Sequence, residues 1–420
     1  MHTIVIIGGG FAGINLAKRL DPKKFRVKLI DRNNFHSFPP LFYQVASSGL
    51  EAGDICFPFR REFRRCRNVT YHMGNVKNID VEARTVTTSY ETIPYDSLVI
   101  AVGTTNNFFG IEGLDKEVFG IKTVAQAQYT RDEILDRLER GAICTDPERR
   151  RQLLSFMVVG GGPSGVEIAG ALGEMKRYLV PREYPEIDPS DMTITLVEGT
   201  DRLLGNLGEK AGKKALHGLQ ELMVDVRLGV TMKSYKDKMV TFGDGTSQYH
   251  ETVIWTAGVK GEPLPGFPAD KIGRGGRVLV DEYNRVEGLP GVYAIGDIAL
   301  HVSAEYPKGV PQLAQPAIQQ ARTLAKNLNE GAFTTPFRYH DKGSMATIGK
   351  NRAVAMIGHS FFSGWIAWMM WLAVHLMTLM GMRNKINVMI NWMWNYFSHT
   401  SSLRLLLRPA RYPLRRHWGR

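Results

Sequence analysis

The chain carries one local pattern twice, about 150 residues apart: TIVIIGGGFAGINLAKRL near its start and SFMVVGGGPSGVEIAGAL from Ser155. Each copy reads as a buried apolar strand, a run of three glycines, then apolar residues at helical spacing. Each is followed by another strand that ends in an acid, FRVKLIDR at Asp31 and MTITLVEG at Glu198. A solenoid repeats every roughly 20–50 residues, so recurrence on this longer scale means duplicated domains. Few folds accommodate that pattern.

The expected class is α/β, with two Rossmann-like dinucleotide-binding domains. Gly8, Gly10 and Gly13 are spaced as GxGxxG between strand and helix, and Gly160, Gly162 and Gly165 repeat the spacing. The first glycine permits a tight turn. The second lets the backbone approach a pyrophosphate at the helix N-terminus, and the third lets helix and strand pack closely. Asp31 and Glu198 are placed to accept hydrogen bonds from a ribose diol. An acid at Glu198 favours NADH, because a 2′-phosphate would meet like charge, although Arg202 lies nearby. The gap before Glu198 is long, which suggests a helical insertion around Lys176 to Pro185. Two more apolar strands, in YDSLVIAVGT and ETVIWTAGV, close on small-residue turns, the first at Gly103; VYAIGDIAL adds a strand that runs into Asp297.

Composition narrows the chemistry. Apolar residues are 44% and charged residues 22% of 420, as in an ordinary globular protein. The three cysteines, Cys56, Cys66 and Cys144, form no CxxC pair, which counts against a disulfide scaffold, a cysteine zinc site and dithiol redox chemistry. No metal-ligand spacing of His or carboxylates occurs, so no metal is expected. The charge of +12 is uneven: residues 331–420 hold twelve Lys or Arg, one acid and six of the seven tryptophans. A uniformly basic chain would suggest nucleic acid. A basic, Trp-rich end on a neutral body suggests an anionic membrane surface instead.

That end has its own pattern. Residues 361–382 hold no Asp, Glu, Lys or Arg and are long enough to span a bilayer, for which about 20 apolar residues suffice. Yet Trp365, Trp368 and Trp371 cluster in the first half instead of marking two interfaces. Asn384, Asn387, Asn391 and Asn395 fall on one helix face, and Arg404, Arg408, Arg411 and Arg415 space a tail interrupted by Pro409 and Pro413. The expectation is monotopic attachment, with these elements in the headgroup plane. HTIVIIGGG has neither a cationic start nor a long apolar run, so no cleavable signal is read and the expected location is peripheral, on the cytoplasmic side of the cell membrane.

Two dinucleotide sites together imply a resident flavin that takes hydride from a nicotinamide and passes electrons on. The order of the motifs, with a late GD, resembles the two-dinucleotide-binding flavoprotein superfamily, in which the Asp matching Asp297 contacts the flavin. SFPPLFYQVASSGL lacks the cysteines of disulfide reductases, and residues 145–420 lack those of sulfide:quinone oxidoreductases. The chain resembles the type II NADH dehydrogenases throughout. The resemblance rests on GGGFAGINLAKRL, LIDRNNFHSFPPLFYQVASSGL, GGGPSGVEIAGAL, VYAIGD, AQPAIQQAR and KGSMATIGKNRAV.

That resemblance implies bound FAD, NADH as substrate and a quinone as partner. It also implies an FAD domain split into residues 1–112 and 259–330, an NADH domain at 113–258 and a membrane-associating region at 331–420. Glu167 matches a glutamate that family members place between nicotinamide and flavin, where it manages a carboxamide or a proton. Gln315 and Gln319 match a pair that borders the flavin at the quinone pocket; a neutral amide both donates and accepts, which suits a carbonyl becoming a hydroxyl. His375 reads as a packing histidine, and His36 and His301 stay undecided. A homodimer is compatible with the sequence. Two other readings stay open: an NADPH-preferring quinone reductase and a slow flavoprotein that acts as a redox-dependent interaction module.

Overall fold

Two five-stranded parallel sheets organise the chain in the computed structural model, which describes residues 1–398 and 403–406. The first sheet takes β1 (His2–Ile7), β2 (Phe25–Asp31), β3 (Val69–Met73) and β4 (Ser97–Ile100). The second takes β5 (Phe119–Gly120), β6 (Ser155–Val159), β7 (Thr193–Glu198), β8 (Asp225–Leu228) and β9 (Thr252–Trp255). Then β10 (Val292–Ala294) returns to the first. The spatial orders are β10-β4-β1-β2-β3 and β5-β9-β6-β7-β8. Each sheet is thus built the same way, with its reversal of winding between the glycine-bearing strand and the fourth. In each, one edge place is filled by a strand from outside the contiguous run. Central strands are apolar on both faces, as covered parallel sheets require: Ile4, Val5 and Ile6 are wholly buried.

Two connections join the halves, and they run side by side. Thr104–Asn106 pairs antiparallel with Val259–Gly261.

The helices that matter for the site are α1 (Phe11–Ala17), α2 (Phe42–Ala46), α3 (Val124–Ile143), α4 (Pro163–Glu174) and α5 (Ala314–Glu330). After α4 the chain makes a π-helical turn at Met175–Leu179 and a last helical turn at Val180–Glu183, which is the insertion expected before β7. An antiparallel sheet of β11 (Ser344–Gly349), β12 (Arg352–Ile357) and β13 (Ser360–Ser363) lies against α4. The approach is close: a Cβ added at Gly170 would stand 1.9 Å from the Ile348 carbonyl oxygen.

The C-terminal helices are α6 (Trp365–Thr378) and α7 (Met382–Ser398). The apolar run does not form one long helix. Its 14-residue α6 extends only about 21 Å, against a hydrocarbon core of about 30 Å. No helix among the described residues is long and apolar enough to cross a membrane. The asparagine stripe of α7 points into the protein: Asn384 donates to the Cys56 carbonyl, Asn387 and Asn391 to the two oxygens of Asp54 at 3.0 Å each, and Asn395 to the Gly49 carbonyl. Facing outward are Ile386, Met389, Ile390, Met393, Trp394 and Phe397, with Trp365, Ile366, Met369 and Met377 of α6 also exposed. The helix is amphipathic with its apolar side to the outside, so the headgroup-plane expectation for the asparagines gives way to a docking role. Arg404 is paired with Glu183; Arg408, Arg411, Arg415, Pro409 and Pro413 lie outside the described residues.

Candidate functional site

Both glycine loops lie where their sheet reverses its winding, and each glycine has a distinct duty. Gly8 has φ +104°, and a Cβ there would stand 2.3 Å from the Ala101 carbonyl oxygen. One at Gly13 would stand 1.9 Å from the Gly8 carbonyl oxygen, whereas one at Gly10 would meet no protein atom within 4 Å. The second loop repeats this. Gly160 has φ +111° and crowds Ala257, Gly165 crowds the Gly160 carbonyl, and Gly162 faces open space. The outer glycines serve the turn and the packing, and the middle one leaves room for a backbone-bound pyrophosphate at the N-termini of α1 and α4.

The strand-end acids are pinned alike. Asp31 accepts the Gly9 and Asn33 N–H groups at 2.7 and 2.8 Å; Glu198 accepts those of Gly161 and Thr200 at 2.6 and 2.8 Å. Burial raises the Asp31 pKa, and those two N–H groups oppose the rise. Arg202 is engaged in a two-pronged pair with Asp201 at 2.9 and 3.0 Å, so its guanidinium already has a counter-ion beside Glu198.

The first crevice gains a third side from later residues. Gly103 follows β4 with φ +73°. Asp297 sits in the turn after β10; burial raises its pKa, and the nearby Lys122 and Arg277 charges oppose this. Two contributors escaped sequence reasoning. Gln320 is 2% exposed and accepts the Gly296 N–H at 2.7 Å, which ties α5 to that turn. Lys122, between β5 and α3, has its pKa lowered by burial, and the charges of Asp297 and Glu262 oppose this. Gln320 belongs to the quoted AQPAIQQAR run; nothing local marks Lys122.

Glu167 lies in the second turn of α4 and is buried. Burial pushes its carboxyl up to about 8, with the Thr347 N–H and Trp371 working the other way. Its charge adds to the burial that pushes the Tyr43 hydroxyl of α2 well above its usual value. One side chain therefore stands where the second domain, the first domain and the C-terminal sheet meet. His375 stacks on Trp371 at 3.9 Å, and burial lowers its pKa to about 4. His36 contacts the Gly9 carbonyl through Nδ1, and His301 packs edge-on to Phe337.

Gln315 and Gln319 share a face of α5 and grip one stretch of backbone. Gln315 donates to the Gly343 carbonyl at 2.8 Å and accepts the Lys342 N–H at 3.1 Å. Gln319 donates to the His340 carbonyl at 2.9 Å and accepts the His340 N–H at 3.0 Å. Each amide keeps one further N–H. Glu167 is anchored further along the same chain, at Thr347, four residues after Gly343.

Residues 2–321 match the pyridine nucleotide-disulphide oxidoreductase family, and residues 341–399 match the NDH2 C-terminal domain. Two type II NADH:quinone oxidoreductases of Mycobacterium tuberculosis are 37% and 38% identical over 94% and 93% of this chain, and 88% and 86% of their own length. The chain belongs to the type II NADH:quinone oxidoreductases. A probable NADH dehydrogenase of Dictyostelium discoideum, 29% identical over 93% of this chain and 89% of its own length, is a further relative. The structure of NDH2 from Plasmodium falciparum in complex with NADH aligns with a TM-score of 0.88 over 97% of this chain and all of that one; at 21% identity this is a likeness of fold. In this type II enzyme the three cysteines are unpaired, and burial pushes Cys56 up to about 12, which makes it a poor thiolate.

Proposed function

We propose that the enzyme holds FAD in the first crevice, receives NADH in the second and reduces a membrane quinone by two electrons, without moving ions. The observation that carries this reading is the repeated cradle, in which Gly10 and Gly162 each leave open the face a pyrophosphate needs. A flavin bound there supplies hydride acceptance and two-electron delivery. The residues present fit it: the α1 N-terminus and Gly10 hold the phosphates, Asp31 the ribose hydroxyls, and Gly103 and Asp297 the remaining length.

Glu198 accepts the free 2′-hydroxyl of NADH and repels a 2′-phosphate, with Arg202 already neutralised by Asp201. Glu167 orients the carboxamide or holds a proton. The spare N–H groups of Gln315 and Gln319 suit a quinone carbonyl. An isoprenoid quinone is met at the bilayer, so the outward apolar face of α6 and α7 serves as the platform, on the cytoplasmic side and beside anionic lipid. Because NADH and quinone are both served from that side, the reaction is not electrogenic.

The test is anaerobic mixing of the purified enzyme with NADH. The visible flavin band should bleach and then return on adding a soluble quinone, and NADPH should bleach it about tenfold more slowly or worse. Failure of NADH to bleach it overturns the reading.

A further inference from the structure

The body of the chain is neutral in sum but not in distribution. Residues 60–67 hold five arginines and one acid, Glu62. Phe59 and Phe63 stand four apart around a single helical turn, Phe59–Glu62, and both are buried in the core of the first sheet. Arg60, Arg61, Arg64, Arg65 and Arg67 are left exposed. Among the described residues, Glu62 is held by Lys18, and none of the five arginines pairs with a carboxylate. A run of like charge is ordinarily a wetted surface. Its neighbours set this one apart.

The turn between α6 and α7 is seated on the same segment. Asn384 donates to the Cys56 carbonyl at 2.8 Å, and a Cβ added at Gly381 would stand 2.5 Å from the Phe57 ring. Met380 packs on the cluster that holds Phe59 and Phe63. The Arg61 guanidinium carbon lies 5.7 Å from the centre of that Phe57 ring, so Arg61 and Gly381 share a neighbour. Close by in the chain, Met377 and Met382 are 68% and 72% exposed, and Arg383 is exposed as well. The arginines therefore border the outward apolar face at the end where α6 gives way to α7. An apolar face edged by cations matches a bilayer, with acyl chains against one part and phosphates against the other.

The segment belongs firmly to the first lobe. The Phe59 N–H donates to the Asn34 carbonyl at 3.0 Å, and a Cβ added at Gly9 would stand 2.1 Å from the Phe59 ring.

Building on the membrane platform proposed above, we propose that this segment is a headgroup site for anionic phospholipids: Arg61, Arg64, Arg65 and Arg67, with Arg383, bind lipid phosphates while α6 and α7 enter the apolar layer. A guanidinium suits the task, because its planar fork meets two phosphate oxygens at once. A nucleic acid offers phosphates too, but no apolar layer beside them for Met377 and Met382. The first lobe is then attached in its own right, and its crevice is held at a set tilt to the bilayer instead of hanging from the C-terminal helices.

The experiment is flotation of the FAD-loaded full chain with vesicles of phosphatidylcholine, alone or mixed with an equal part of phosphatidylglycerol. The triple variant Arg61→Gln, Arg64→Gln, Arg65→Gln should bind the mixed vesicles about a hundredfold more weakly, at about fivefold per arginine, and the neutral ones as the parent does. The same three positions changed to lysine should stay within about threefold of the parent, since the charge is kept. NADH turnover with a soluble quinone should hold at the parental rate in both variants. Parental binding of the glutamine variant to the mixed vesicles overturns the proposal. So does an equal loss on neutral vesicles, which would make the arginines props for α7, or a lysine variant that falls as far as the glutamine one. Tighter binding of the parent to a DNA duplex than to the mixed vesicles also overturns it. A parent that floats with neither kind of vesicle would instead bring down the membrane platform, and this inference with it.

Discussion

Glu167 has a consequence for the molecule's response to pH. An unfolded glutamate titrates near 4.5, and burial moves the folded group to about 8. Between those values the folded state holds a proton that the unfolded state lacks. Stability from this group is complete below about pH 4.5 and is lost as pH rises through about 8, at no more than about 1.4 kcal/mol per pH unit. Glu167→Gln cannot ionise. Its thermal midpoint should therefore fall less than the parent's between about pH 6 and about pH 9, as calorimetry would show; an identical fall in both proteins would contradict the assignment. At this scale the sequence is legible wherever the chemistry is local. The duties of Gly8, Gly10 and Gly13 follow from a six-residue spacing, because turn, helix N-terminus and strand are all within reach of it. Gln320 and Glu174 are different. Gln320 meets a backbone 24 residues away, and Glu174 one 176 residues away, so nothing adjacent in the chain announces either.

The helix α7 shows the same division one level up. Its asparagines could be read as a face from their spacing alone, but the direction of that face was not readable. The deciding partner is Asp54, 333 and 337 residues before the two amides that bind it. Asp54→Ala would leave both amides unpaired in a half-buried setting, at a cost of about 2–4 kcal/mol. The expected result is a helix that undocks first: limited proteolysis should cut near Leu379–Gly381 well before the two sheets unfold. A variant that resists the protease like the parent would show that apolar contacts alone seat the helix. The shortness of α6 was likewise hidden, since an uncharged run of residues gives no sign of the break that ends the helix at Thr378.

The whole molecule presents an apolar outer face built by two helices and backed by polar docking contacts, which is the reverse of a soluble amphipathic helix. Trp394 and Phe397 are 64% and 77% exposed. Replacing both with serine should leave the fold intact and weaken vesicle binding about tenfold or more, because each large apolar side chain is worth about 1.5–3 kcal/mol when fully buried. Flotation with neutral and anionic vesicles would measure this, and salt should weaken only the anionic case. Unchanged flotation would remove these helices from the membrane-facing role. Duplication of the nucleotide sheets was the most legible large feature, because each copy announces itself within a few dozen residues. The ribbon joining them was not, since its strands lie more than 150 residues apart in sequence. That ribbon has a mechanical outcome. Torsion between the lobes would have to shear its three pairings of Thr104–Asn106 with Val259–Gly261. Since α2 also packs on α3 and α4, the two lobes share one apolar core, and the two crevices keep a fixed bearing on each other.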